Sequence, residues 1–438
     1  MQKNLDITMC MDSKYFPRVL VLSVNAFRSG GSNGKVLAKY FGNWPADKIA
    51  QFYTYAEYPD IPLCTNYFRV TDKEVIKSVL TFSQQGNIIP LSKEANNVSV
   101  SNGYKRKFRR NPLTLLIQDF VWNLGFWKGS RFKTWVKEFN PEVIVVFATG
   151  SSFMNKIALS VSKWLNIPYV IFNTENYYFK DYNYFFGESW GCLFPLFKFE
   201  CKKAFDKLML GSSHEIYPNE LLERLYGEHF KRNGTVLYQS SDLHEFESNM
   251  GESPKFTYAG NLGLNRHKSL IEIAETLQSI SRDYYLDVYG RTTSDESEVE
   301  LKEAKGIRYH GAVPYSQVVE IMKNSHFLVH CESFDEQWIK DLSAGFSTKI
   351  SDILTVGRCL ILYADASIAC AQYVKKNNCG CVINSPSLLR EKLSELLADK
   401  DLQNLYIKNG LFASRRDMNF AKNADTFYQI LCDTVKQK

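Results

Sequence analysis

The 438-residue chain is 45% hydrophobic and 23% charged, with a formal net charge of +6. That length exceeds what one core usually serves, so two domains are expected, and the composition excludes a disordered or fibrous chain. No apolar run approaches the 18 or so residues that span a bilayer, and ten cysteines without a C-x-x-C pair and seven histidines without H-E-x-x-H point to a reduced, cytoplasmic protein with no metal site.

In chain order, Val19 to Val24 is too short for a signal-peptide core and reads as the first strand. From Arg18 the sequence RVLVLSVNAFRSGGSNGKVLAKYF gives a strand, a Gly-rich turn and a helix. It is not a P-loop, because Ser29 stands where the first Gly belongs and Val36 follows Lys35 where Ser or Thr would hold magnesium. Gly30, Gly31 and Gly34 either let backbone N–H groups approach a ligand or simply close a tight turn. Residues 45 to 103 show no clear period and no readable chemistry.

Residues 104 to 137 carry nine Lys or Arg against one acid, Asp119. Interleaved are Leu113, Leu115, Leu116, Ile117, Phe120, Val121, Trp122, Phe126 and Trp127. A basic, Trp-rich amphipathic stretch suits an anionic membrane surface, where each basic residue adds roughly 1 kcal/mol. A core helix with a solvated charged face is the structural alternative. Nucleic acid is not expected, since no known nucleic-acid module surrounds the stretch.

From Pro141 a strand EVIVVFA, a helix from about Met154 to Leu165 and a strand YVIFNTEN form a β-α-β unit of a parallel sheet. Thr149-Gly150-Ser151-Ser152 and Thr174-Glu175-Asn176 fall at carboxyl ends of strands, where open α/β sheets bind ligands. DKLMLGSSHEI reads as a further unit with its strand ending at Gly211-Ser212-Ser213. Gln239 to Lys255 is patternless, as a linker is. FTYAGNLGLNRHKSLIEIAETL then opens a second α/β series, its loop holding Gly260, Gly263, Arg266 and Lys268. Fixed cations beside backbone donors suit a diphosphate that no metal neutralises. YLDVYGR, GIRYHGAV, the helix YSQVVEIMKNS and the strand HFLVHCE follow, then Glu332 and Asp335.

Leu342 to Tyr363, LSAGFSTKISDILTVGRCLILY, is a polar loop, a short helix capped by Ser347 or Thr348, a Gly357 turn and a buried strand. The helix N-terminus with Lys349 in its first turn is a place for an anionic ligand. Asp399-Lys400-Asp401 has no strand before it and is discounted as a metal site.

The string Ser347-Thr348-Lys349-Ile350-Ser351-Asp352, with Gly357 and the strand after it, resembles the donor-binding segment of family 4 (group 1) glycosyltransferases. The resemblance is carried by motif over about 255 to 415 and by architecture before that. It implies the GT-B fold, two Rossmann-like α/β lobes about a cleft: residues 15–240 for the acceptor, 255–415 for the nucleotide sugar, and 416–438, helical from roughly Ala421 to Val435, crossing back. It places Asn25, Arg28, Gly30 and Gly31 on the cleft, with Thr149 and Gly150 on the acceptor side and Glu175 as counterpart of a catalytic polar pair. The GSS strand would be the last before the linker. Arg266, with Lys268 as a second option, would grip the diphosphate alongside Lys349, while Asn261 replaces the usual Arg after the first Gly. Gly260, Gly263, Ser347 and Thr348 would line the donor, Gly311 to Pro314, including Val313, would underlie the nucleobase, and Asp352 would bind the ribose. Of the family's E-x7-E motif the first acid is Ala344, so Glu332 or Asp335 would orient the sugar.

The resemblance implies a metal-independent, retaining hexosyltransferase-type enzyme. It would move a sugar from a UDP- or GDP-linked donor to a glycan or lipid-linked acceptor in bacterial capsule, lipopolysaccharide or exopolysaccharide synthesis, peripheral on the inner face of the cell membrane. The alternatives are a non-catalytic GT-B protein that binds a nucleotide sugar or glycan, and a polyanion-binding protein acting through 104–137.

Overall fold

The computed structural model describes residues 14–28, 32–42, 44–90, 111–180, 190–247 and 253–437. Gly30, Gly31 and the basic cluster 105–110 lie outside the described residues.

Two sheets organise the chain. The first comprises β1 (Val19–Ser23), β2 (Ile49–Tyr53), β3 (Asn66–Arg69), β4 (Asn87–Ile89), β5 (Val143–Phe147), β6 (Tyr169–Phe172), β7 (His214–Tyr217) and β8 (Thr235–Val236). Its order is β4-β3-β2-β1-β5-β6-β7-β8, and only the β3/β4 pair is antiparallel. The second comprises β9 (Phe256–Ala259), β10 (Leu286–Tyr289), β11 (Ile307–Gly311), β12 (Phe327–Cys331), β13 (Cys359–Tyr363) and β14 (Cys381–Ile383), in the order β11-β10-β9-β12-β13-β14. The runs VLVLS, VIVVF and CLILY are buried at every position, because helices cover both faces of each sheet. Strand order reverses between β1 and β5 and again between β9 and β12. Each reversal leaves a crevice at the carboxyl ends of the strands, where a ligand can enter.

Several expectations are corrected. DKLMLG is the end of helix Phe194–Gly211, with Phe205, Leu208 and Met209 buried at helical spacing, and the strand begins only at His214. Ser212 ends that helix structurally, its hydroxyl donating to the Met209 carbonyl at 2.7 Å and to Glu215. A helix, Glu220–Phe230, and β8 still follow before the sheet closes. Residues 45 to 103 hold β2 to β4 and helix Asp72–Thr81, started by a Thr71/Glu74 capping box.

The stretch read as a membrane-facing segment is two helices, Pro112–Asn123 and Ser130–Phe139. Trp122, Trp127, Phe132 and Trp135 all point into the first core. Indole rings at 2–5% exposure cannot serve a headgroup layer, so the Trp content belongs to packing. Among the described residues no helix is long and apolar enough to cross a membrane.

The connection after β8 is more than a tether. Ser240 and Ser241 are buried, and Asp242 pairs with Lys39 at 3.0 Å and Lys35 at 3.5 Å, both on helix Ser32–Phe41 of the first lobe. Gly34 of that helix passes so close to Ala26 that a Cβ would sit 2.1 Å from its carbonyl oxygen, hence glycine. Helix Phe420–Lys436 returns to the first lobe and inserts Phe427 and Leu431 into its core beside Tyr40 and Phe41.

Candidate active site

The β9/β12 crevice gathers four charged or titratable side chains. After β9 the chain turns through Leu264 and Asn265, both at positive φ, into helix Arg266–Ile280. The turn drops Arg266 across the crevice, where its Nε donates to Glu332 Oε2 at 2.7 Å. Glu332 follows directly on β12, held by its own N–H to the Tyr363 carbonyl and by Ser269 Oγ donating to its carbonyl at 2.9 Å. His330, two residues earlier on the same strand face, is fully buried with Nε2 3.2 Å from Glu332 Oε1. Its other ring nitrogen, Nδ1, has no hydrogen-bond partner among the described residues. From the other side, helix Thr348–Val356 brings Lys349 against Gly260. A Cβ there would lie 2.5 Å from the ammonium, so glycine is what admits the lysine.

One carboxylate therefore faces three nitrogen bases. Burial by itself would raise the pKa of Glu332, but His330 and Arg266 hold it down at about 2. Burial, then the Arg266 charge, pushes Lys349 down to about 8. Burial likewise lowers His330 below its usual range. The cluster is short of negative charge, and the N-terminus of helix Thr348–Val356 adds its dipole. Ser347 occupies the cap position without making a side-chain cap bond, so that end of the helix is left to other partners.

The other sequence-predicted residues are placed as follows. Asp352, on the same helix, accepts from Ser241 Oγ at 2.5 Å, and burial raises its pKa. Tyr315 and the Lys35 ammonium, 4.8 Å from its ring centroid, lie alongside. Gly263 is fixed by the Asn261 side chain at 2.8 Å. Gly311 is at φ +72° with open space around it, and Val313 is half-buried beyond. Lys268 is exposed on its helix, outside the cluster. Asp335 accepts from Asn265 Nδ2 at 2.7 Å. Thr348 is exposed.

On the first lobe, Asn25 reaches Glu57 at 3.4 Å, and Arg28 lies 4.0 Å from Glu57 and 3.9 Å from Asp60. Thr149 and Gly150 follow β5, with Gly150 beside Tyr177. Glu175 is half exposed, 3.6 Å from Lys180. Ala344, where the motif's first acid would stand, is fully buried against the first lobe's core, and its carbonyl accepts from Asn219 Nδ2 at 2.9 Å. Three residues earlier Asp341 pairs with Lys180 at 2.5 Å. The sequence reading missed His330, Lys35, Lys39 and Ser241. Only His330 left a signal there, a polar residue on an otherwise apolar strand in register with Glu332.

Residues 240–411 match the model of the family described as glycosyl transferases group 1. The match takes in the second lobe. The whole chain has the GT-B fold, as solved structures of low identity show. Sucrose-phosphate synthase from Thermosynechococcus elongatus superposes with TM-score 0.63 at 12% identity, over 96% of this chain and 100% of that one. HepE from Anabaena in complex with UDP and glucose gives 0.59 at 9% identity, over 95% and 99%. WaaG, a glycosyltransferase involved in lipopolysaccharide biosynthesis, gives 0.52 at 14%, over 93% and 99%. No curated protein sequence matches the chain. The crevice cluster lies wholly inside the matched residues, and Arg28, Thr149, Gly150 and Glu175 lie outside them.

Proposed function

We propose that this chain transfers a sugar from a UDP- or GDP-linked donor to a hydroxyl of a glycan or lipid-linked acceptor in bacterial surface polysaccharide synthesis, with retention and without a metal. The observation that carries the reading is the cationic excess around Glu332 at a helix N-terminus on the strand-order reversal of a lobe similar to group 1 glycosyl transferases. A diphosphate supplies the missing negative charge. As the bond from the anomeric carbon to the diphosphate oxygen breaks, charge builds on that oxygen, and Arg266, Lys349 and the helix N–H groups stabilise it. The acceptor hydroxyl attacks from the same face and gives its proton to the departing phosphate oxygen. Glu332, committed to Arg266 and His330, acts by aiming Arg266, and Asp352 takes the ribose hydroxyls in exchange for Ser241. The solved neighbour carrying UDP and glucose supports the donor class.

The buried Ala344 favours a second reading, a nucleotide-sugar-binding protein that does not turn its ligand over. A thermal-shift panel of UDP, GDP, ADP, CMP and their sugars tests both. A nucleoside diphosphate that stabilises the wild type and not Arg266→Ala establishes the site, and release of that diphosphate from its sugar in the presence of acceptor glycans separates enzyme from binder. No response to any nucleotide overturns the reading.

A further inference from the structure

Helix Glu336–Leu342 of the second lobe meets the first lobe through Asp341. Three residues on, Ala344 is seated in the first lobe's core, so the backbone that carries Asp341 is fixed at the junction. On the other side β6 runs out into Asn173, Thr174 and Glu175, and the turn behind them is pinned. The Tyr177 N–H donates to the Glu175 carbonyl at 2.9 Å and the Phe179 N–H to Asn176 Oδ1 at 3.1 Å. Tyr178 is held at both ends, its N–H on the Tyr226 hydroxyl at 3.1 Å and its own hydroxyl on Asp206 at 2.7 Å. This turn delivers the Lys180 ammonium between two carboxylates of opposite lobes, 2.5 Å from Asp341 Oδ1 and 3.6 Å from Glu175 Oε2.

The two carboxylates are not equivalent. Glu175 is 51% exposed at the carboxyl end of β6, the edge on which open α/β sheets take their ligands. The Asp341 side chain is 4% exposed. Burial lifts its carboxyl above the ordinary aspartate range, and the Lys180 charge opposes the lift. A neutral side chain would pack there at less cost, so the effect of this carboxylate lies in its hold on Lys180. Attraction grows as the distance shrinks. The ammonium is therefore committed to Asp341, and the lone pairs of Glu175 are left facing the cleft. Take the Asp341 charge away, and Glu175 is the carboxylate that remains within reach of Lys180.

We propose that Asp341 is a positioning residue for the acceptor: from the second lobe it draws the Lys180 ammonium off Glu175 and leaves that carboxylate to take a hydrogen bond from an acceptor hydroxyl. That hydroxyl is a neighbour of the one that attacks, whose proton goes to the departing phosphate. The role rests on the reading of the chain as a glycosyltransferase, but it uses none of the residues that hold the donor.

Release of the diphosphate by full-length protein is followed with UDP-glucose or GDP-mannose as donor and p-nitrophenyl glycosides of glucose, galactose and mannose as acceptors. Asp341→Asn should raise the acceptor KM about tenfold, as loss of one charge-assisted hydrogen bond does, with kcat and the donor KM kept. Adding Lys180→Met to Asp341→Asn should bring the acceptor KM back towards the wild-type value, because the cation that closed Glu175 is gone. A pair that only braced the lobes would give no such recovery. A second readout needs no acceptor: a carbodiimide, which joins a carboxylate to an amine it touches, should link Lys180 to Glu175 far more in Asp341→Asn than in the wild type. Mass spectrometry reads the link as loss of one water from the peptide that carries both. An unchanged acceptor KM in Asp341→Asn, no recovery in the double variant, or equal linking overturns the proposal, and a diphosphate thermal shift kept by every variant then leaves the donor site standing. Absence of that shift, or of release, in the wild type sinks the enzyme reading instead, and this role with it.

Discussion

Raising the pH should loosen a nucleoside diphosphate through one residue, Lys349. Without ligand its ammonium titrates at about 8 instead of the ordinary 10.5, because burial and Arg266 disfavour the charge. A bound diphosphate restores the charged form. Affinity is then flat below about pH 8, where the ammonium is charged with or without ligand, and falls as pH rises above it, because binding must recover a proton. Full recovery to 10.5 would correspond, at 1.36 kcal/mol per pH unit, to about 3.4 kcal/mol. Lys349 keeps part of its surface on the open cleft, so about half of that is expected, roughly tenfold in Kd between about pH 7.5 and 9.5. Titration calorimetry with UDP or GDP in buffers of different ionisation enthalpy should show proton uptake at the upper end. Lys349→Arg, whose guanidinium stays charged, should bind without the slope. A flat wild-type profile, or a slope that survives in Lys349→Arg, would refute the reasoning, and the arginine control also removes any contribution from titration of the nucleotide itself.

Three further outcomes follow from the same crevice. Glu332→Gln leaves Arg266 buried without its carboxylate and should cost about 3–5 kcal/mol in urea unfolding. The wild type should also lose about 3 kcal/mol as pH falls from 4.5 towards 2, since the folded carboxyl titrates at about 2 and its contribution is complete only above the unfolded value, and the variant should lack this component. Lys349→Met removes an ammonium that the fold strains to hold, so it should unfold about 1–2 kcal/mol less readily at neutral pH while turnover drops about a hundredfold. Gly260→Ala and Gly290→Ala separate ligand from fold. The first displaces the flexible end of Lys349 and should cost diphosphate affinity with the fold intact, whereas the second drives a Cβ to 1.9 Å from the Gly260 carbonyl oxygen and should reduce soluble yield.

The second sheet was legible because its strands are continuous apolar runs between Gly turns, and helix Thr348–Val356 announced itself by Ser347, Lys349 and Gly357. The DKLMLG run misled because an apolar stretch as short as Leu208 to Leu210 fits a buried strand or one buried face of a helix, and only the long partner face from Phe194 decides between them. Trp122 and Trp127 looked interfacial because composition does not say which way a side chain points. Thr71-Asp72-Lys73-Glu74 was a readable capping box in a stretch that otherwise gave nothing. Chemistry that needs two distant segments was invisible: Ser241 on Asp352, Lys35 beside Tyr315, and Asp341 on Lys180 are separated by between 111 and 280 positions. Ala344 read as a missing acid, and in space it is a piece of the other lobe's packing.

That last placement bears on how separable the halves are. The first lobe's core is completed by two pieces that arrive late in the chain, Ala344 through its seat beside Asn219 and helix Phe420–Lys436 through Phe427 and Leu431. A ribosome releasing residues up to the linker has therefore made a sheet whose Tyr40, Phe41 and Trp44 surface still waits for partners nearly four hundred residues downstream. Exchange of second lobes between relatives would carry the wrong closing pieces with it. The seam that divides the chain in space runs across the order in which it is synthesised.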